Sequence, residues 1–177
     1  MPTPAEVLLV ASRFQVVREF QATPEGPRPR EIIRHPGAVV VLPLLDDGRV
    51  CLIRNFRISV NQTLIELPAG TLEPGEEPIH NAERELMEET GYRAAKLQQL
   101  HAFFLSPGIL DERMYLFLAT GLTAGETARE AGEEIDNLVV PWEEAVQMAV
   151  DGRIQDAKSI VGLLLVDRML RSGGLPR

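Results

Sequence analysis

Glu85, Glu88 and Glu89 stand three and four residues apart, with Arg84 immediately before them. On a helix those steps place side chains on one face, so the three carboxylates can approach a common point. Like charges gathered there repel, and a hard divalent cation such as Mg²⁺, which takes oxygen ligands, removes that cost. Arg84 lies four residues before Glu88 and can screen or orient part of the group. Glu76, just ahead of the same segment, can fold back toward it. Gly70 follows Pro68-Ala69, where a glycine lets the backbone turn sharply and a neighbouring carbonyl approach an ion. A run of glutamates is ordinarily a solvated helix face; the spacing argues for a metal-binding row instead.

The charge balance points to the same segment. The chain has 177 residues, 26 acidic against 18 basic, and a formal charge of −8. Residues 70–92 alone carry −6 of it. A length of this order suits one domain with a real core. A chain 45% hydrophobic and 25% charged is ordinary for a globular protein and argues against disorder. Neither long apolar stretch, 38–45 or 160–166, approaches the ~20 residues that span a bilayer, and no secretory leader is recognisable. The expectation is a cytoplasmic protein that binds no membrane. An acidic surface is a poor start for gripping phosphate backbones, so no nucleic-acid partner is expected. The single cysteine, Cys51, excludes an internal disulfide framework and a Cys-rich zinc site, and reads as a buried thiol. His35, His80 and His101 form no spaced ligand set. Trp142, after Pro141, is expected to pack a helix onto a sheet.

The positioning elements are readable in outline. Val7–Val10, Phe14–Phe20 and Glu31–Arg34 look like strands, with a proline-rich loop at Ala22–Pro29. Ala38–Leu45 and Val50–Phe56 are apolar runs of strand length, and Asp46-Asp47-Gly48 between them predicts a hairpin. Thr63–Leu67 is a short strand ended by Pro68. The acidic helix begins near Pro78, since proline suits the first turn, and ends at Gly91. Ile79, Ala82 and Leu86 form its expected buried stripe. Lys96–Leu105 and Arg113–Ala119 read as strands around the loop Ser106–Glu112, and Gly121–Asp136 as a polar loop. Asn137–Val140 is a last strand, Trp142–Val150 a short helix, and Asp156–Leu170 a longer one with Ile160, Leu163, Leu164 and Met169 inward. Strands mixed with three helices imply a sheet covered on both faces.

Gly70, five residues, Glu76, seven residues, then Arg84-Glu85-Leu86-Met87-Glu88-Glu89-Thr90-Gly91-Tyr92 resembles the Nudix box, GX5EX7REUXEEXGU. Tyr92 is the one departure, at a position where the box prefers an aliphatic residue. The resemblance implies an α/β (α+β) chain folded as a three-layer α/β/α sandwich with a mixed sheet. It also implies hydrolysis of a nucleoside diphosphate linked to another group, dependent on two or more Mg²⁺ or Mn²⁺ ions. Three further features are similar to the ADP-ribose pyrophosphatase subgroup: Glu66-Leu67-Pro68-Ala69-Gly70 before the box, Arg54-Asn55-Phe56-Arg57 upstream, and Pro107 in Ser106-Pro107-Gly108. They favour ADP-ribose as substrate; GDP-mannose pyrophosphatases share most of them, so GDP-mannose or a dinucleoside polyphosphate stands as the alternative, with a non-catalytic ADP-ribose-binding sensor behind it.

The resemblance assigns Glu85, Glu88, Glu89 and the Ala69 carbonyl to metal, with Glu76 and Arg84 fixing the ligand helix. Arg84 joins Glu85, Glu88 and Glu89 in the expected catalytic set. Arg57, Arg54, Glu66, Pro107 and Gly108 are the expected substrate-binding residues. In the subgroup a glutamate on the loop after Ser-Pro-Gly acts as general base; Glu112 occupies that place, with the shorter Asp111 beside it. Residues 1–35 are expected to be a β segment that forms a homodimer, and 36–177 the hydrolase domain. Phe20, Phe56 and Phe104 are candidates for stacking on a base.

Overall fold

Residues 4–128 and 135–174 are described by the computed structural model. Its centre is the apolar run that the sequence places at Ala38–Leu45. Strand β4 (Ala38–Pro43) is buried along its whole length, which only a strand covered on both faces can be. It pairs in parallel with β9 (Arg113–Ala124) and antiparallel with the short β7 (Ala69–Thr71). With β8 (Tyr92–Phe104) these form a mixed sheet in the order β7-β4-β9-β8.

The two faces of β4 feed two separate cores. Val39 and Val41 pack with Phe117 against Ala82 and Leu86 of α1 (Pro78–Thr90). Val40 and Leu42 pack against Leu163 and Val166 of α3 (Ala157–Arg171) and Met148 of α2 (Trp142–Val150). The expected three layers are therefore present. Trp142 lies at the start of α2, packed against the second of these cores, and its indole N–H faces Asp167 at 3.4 Å.

A second, antiparallel sheet, β10-β5-β6, joins the same core. It consists of β5 (Arg49–Arg57), β6 (Gln62–Glu66) and β10 (Ile135–Pro141). Here the sequence reading needs correction. Asp46-Asp47-Gly48 does make a tight turn, with Gly48 N–H donating to the Leu45 carbonyl at 3.0 Å. Beyond one Leu44–Val50 bridge, however, the two strands part into different sheets instead of forming a hairpin. Both edges of β4 are already taken by β7 and β9, so β5 has no edge to pair with.

Three further expectations shift. Ile79 is 45% exposed, because the inner arc of α1 runs through Asn81, Ala82, Leu86, Glu89 and Thr90. Leu164 is likewise exposed, the inner row of α3 being Lys158, Ser159, Gly162, Leu163 and Val166. Strand β9 continues to Ala124, four residues into the expected polar loop, of which residues 129–134 lie outside the described residues. Tyr92 is half-buried with Leu86 and Phe117, accommodated by packing. Cys51 is a buried free thiol, as expected.

A third sheet, β1-β2-β3, comprises β1 (Glu6–Val10), β2 (Gln15–Gln21) and β3 (Arg28–Arg34). Every residue of β1 is exposed despite its sequence Val7-Leu8-Leu9-Val10. No helix among the described residues is long and apolar enough to cross a membrane.

Candidate active site

Helix α1 owes its sharp ends to backbone chemistry. Pro78 sits in the first turn, where its missing N–H has no partner to lose. Gly91 closes the helix at φ 79°, its N–H bonded to the Met87 carbonyl at 2.9 Å. Between these ends the acidic row faces a cleft of about 730 Å³. Glu85, Glu88 and Glu89 line it from α1, Ala69 and Gly70 from β7, and Arg84 from the helix shoulder. Asn55, Arg57, Asp156, Lys158, His35 and Glu112 line the same cleft.

Arg84 organises the acids. Its guanidinium reaches Glu76 at 3.2 Å, Glu85 at 2.9 Å and Glu88 at 3.0 Å. Glu76 in turn accepts from the Glu73 backbone N–H at 3.0 Å and from the Asn81 side-chain amide at 2.7 Å. Glu76 and Arg84 thus clasp the loop before α1 to the helix. Glu89, 3% exposed, turns back to accept the Ala69 N–H at 2.9 Å. Glu85 fills the space that a side chain at position 70 would need: a Cβ on Gly70 would lie 1.8 Å from Glu85 Oε1.

These donors suit a hard divalent cation. Three carboxylates border one cleft beside the backbone of Ala69, and Gly70 has no Cβ to block them. Among the described residues no three His, Cys, Asp or Glu side chains already converge as a metal cage. Arg84 and the Ala69 N–H engage the acids instead. A cation held by these carboxylates would have to exchange some of these contacts.

The clasp has a pH signature. The Arg84 hydrogen bond, opposed by burial and reinforced by the Glu73 N–H and Asn81, holds the Glu76 carboxyl down at about 2, against an ordinary value of 4.5. A depressed folded value means the stabilisation is complete above the ordinary value and disappears as pH falls from about 4.5 to about 2. Glu76→Gln should lower stability by on the order of 2 kcal/mol near neutrality and by almost nothing near pH 2. Thermal melts of both proteins across that range check this. An offset independent of pH would contradict it.

Glu66 is 1% exposed and is not among the residues that line the cleft. Its carboxylate receives Arg57 Nε at 2.8 Å and Nη2 at 2.7 Å, a bidentate fork. Lys158 Nζ donates to Glu66 as well, and to Asp156 at 2.8 Å. Burial raises the Glu66 carboxyl, but the Arg57 fork and the Lys158 charge outweigh it and leave it below its ordinary value. Glu66 therefore holds the Arg57 guanidinium and does not itself line the cleft.

Other expected residues fall elsewhere. Arg54 is exposed and, alternating with Asn55 along β5, points to the other face. Pro107 and Gly108 line a separate cleft of about 420 Å³ against β3. Their loop is pinned there by Ile33 N–H to the Ile109 carbonyl at 2.8 Å and Asp111 N–H to the Ile33 carbonyl at 3.1 Å. Asp111 is occupied by Arg34 at 2.8 Å and the His35 N–H at 2.8 Å. Glu112 faces the main cleft, 3.7 Å from His35 Nδ1. Phe104 borders the smaller cleft, Phe56 is exposed, and neither they nor Phe20 line the larger one. Phe14, Asn55, Asp156 and Lys158 do, and sequence reasoning missed them in this role. For Lys158 a signal existed: it shares a four-residue row of α3 with Gly162 and Val166, an apolar face where a lysine needs a partner.

The sequence model of the NUDIX domain matches residues 34–161. The chain is 44% identical over 132 residues to an ADP-ribose pyrophosphatase of Bacillus subtilis (strain 168), covering 73% of this chain and 71% of that protein. It is 34% identical over 151 residues to a GDP-mannose pyrophosphatase of Klebsiella pneumoniae (strain MGH 78578), covering 80% and 74%. The fold matches a crystal structure of an ADP compounds hydrolase at a TM-score of 0.82 and 22% identity, covering 98% of this chain and 95% of that one.

Proposed function

The chain belongs to the NUDIX family, and from that membership we propose that this hydrolase splits ADP-ribose into AMP and ribose 5-phosphate. The observation that carries the reading is one cleft lined by two unlike sets of groups. The acidic row of Glu85, Glu88 and Glu89 shares a space of about 730 Å³ with Arg57 and Lys158. Such a cleft suits a pyrophosphate, with carboxylates to hold cations and a guanidinium to bind phosphate oxygen.

Glu85, Glu88, Glu89 and the Ala69 carbonyl would hold two or more Mg²⁺ or Mn²⁺ ions. When bound, these neutralise pyrophosphate charge and acidify water. Arg57, aimed by Glu66, offers its remaining N–H groups to a phosphate oxygen. Arg84 and Glu76 keep α1 fixed to the loop before it. Water adds to one phosphorus, the bridging P–O bond breaks, and Glu112 takes the proton. What supports Glu112 is its place in the cleft, whereas Asp111 is held by Arg34 and the His35 N–H. Glu112→Gln should lower kcat by ~10²–10⁴-fold with little change in KM. A loss below about tenfold would move the base elsewhere.

The GDP-mannose pyrophosphatase relative supports a second reading, with GDP-mannose as substrate. Incubation with Mg²⁺ and a panel of ADP-ribose, GDP-mannose, diadenosine polyphosphates and 8-oxo-dGTP separates the two. Release of no nucleoside monophosphate from any of them would overturn the hydrolase reading. The apolar and fully exposed β1 supports a homodimer built on the N-terminal sheet; a monomer in sedimentation equilibrium would count against it. A small nucleotide-sugar substrate suits a cytoplasmic setting, which fractionation of the source cells checks.

A further inference from the structure

The first turn of α3 lies 92 residues from the strand end that it touches, yet it meets that strand end through charged and polar groups. Asp156 caps the helix, accepting the Ser159 N–H at 3.0 Å, and also holds Lys158 Nζ at 2.8 Å. Ser159 Oγ donates to Asp156 and accepts the Leu67 N–H at 2.7 Å. Lys158 closes the circuit on Glu66, whose other partner is the Arg57 fork. Glu66 and Leu67 directly precede Pro68-Ala69-Gly70, the turn against which Glu85 and Glu89 rest.

We propose that Lys158 is a positioning residue for substrate, holding the buried Glu66 carboxylate so that Glu66 aims Arg57 across the cleft at the acidic row. The inference rests on reading the cleft as a nucleotide-sugar site. Three features carry it. Glu66 is 1% exposed and has two cationic partners; without Lys158, Arg57 alone must satisfy it. The four groups Arg57, Glu66, Lys158 and Asp156 sum to zero charge, so deleting the lysine leaves a net negative wall facing an anionic substrate. Finally, Arg57, Asp156 and Lys158 all border the cleft, whereas a purely structural staple gains nothing by lying there.

The test uses the full-length protein and two readouts. One is steady-state turnover of ADP-ribose with Mg²⁺; the other is calorimetric binding of ADP-ribose in EDTA, which needs no catalysis. Lys158→Met is expected to raise KM and weaken binding about tenfold, with kcat within about threefold. Lys158→Arg, which keeps the charge, should restore both to within about threefold. In an Arg57→Lys background the same Lys158→Met change should add less than about threefold, because both act through one carboxylate. Unchanged binding by Lys158→Met, or full additivity with Arg57→Lys, would overturn the proposal. If Lys158→Met does not fold, as circular dichroism would show, Asp156→Asn and Lys158→Arg decide. Asp156→Asn should then shift KM and not kcat, and wild-type values for it would overturn the proposal. If the wild-type protein binds ADP-ribose without cleaving it, the hydrolase reading fails while the binding arm still judges Lys158.

Discussion

Glu85→Gln is expected to reduce kcat on ADP-ribose by about 10³-fold or more, with the fold intact. The substitution removes one charge and almost no volume. Glu85 sits at the centre of the acidic row, bonded to Arg84 at 2.9 Å and pressed against the Gly70 backbone. An amide there is a far poorer ligand for a hard cation, so the several kcal/mol that a metal contributes to the transition state are lost. Stability should barely change, because loss of the Arg84 pair is offset by relief of repulsion among three neighbouring carboxylates. Single-turnover release of AMP and a thermal melt in EDTA measure the two quantities separately. A kcat within tenfold of wild type would remove Glu85 from the centre of the chemistry.

The second large effect concerns a residue with no side chain. Gly70→Ala places a Cβ 1.8 Å from Glu85 Oε1, 1.9 Å from Cδ and 2.5 Å from Cγ. None of these atoms is backbone, so the clash can be relieved by rotating the whole Glu85 side chain about its Cα–Cβ bond. Folding should therefore survive with a modest fall in Tm. The displaced group is the proposed metal ligand, however, and a misplacement of about 1 Å near the chemistry costs about 10²-fold. The variant should separate the two properties, with kcat down about 10²-fold and a higher Mg²⁺ requirement in a nearly normal fold. Activity within about threefold of wild type at ordinary Mg²⁺ would show that Glu85 need not occupy that spot.

Much of this site is local in origin, which explains why sequence reasoning reached it. Pro78 and Gly91 bracket α1 through their own backbone chemistry, and the spacing of Glu85, Glu88 and Glu89 is a property of any helix. The three layers follow from an apolar β4 that needs cover on both faces. What failed depends on partners distant in sequence. Asp46-Asp47-Gly48 is a sound turn, but whether a hairpin follows depends on edges occupied by β7 and β9. Ile79 and Leu164 satisfy a helical period, and the period alone does not say which arc meets the sheet when Glu89 and Lys158 take inner places. Pro107 and Gly108 follow their loop onto β3 through bonds between Ile33 and the 109–111 segment. Arg54 and Arg57 look equivalent in the sequence, yet three residues of a strand separate them onto opposite faces. Lys158 acquires its role only when α3 reaches Glu66.

That last contact also bears on how the protein is made. Helix α1 and its acidic row are local and can take shape early in synthesis. The contacts of Glu66 and Leu67 wait for residues 156–159, because the partners of both stand 92 residues later in the chain. A nascent chain that carries the whole acidic motif but not yet this segment lacks Asp156 and Lys158, and so lacks part of the cleft lining.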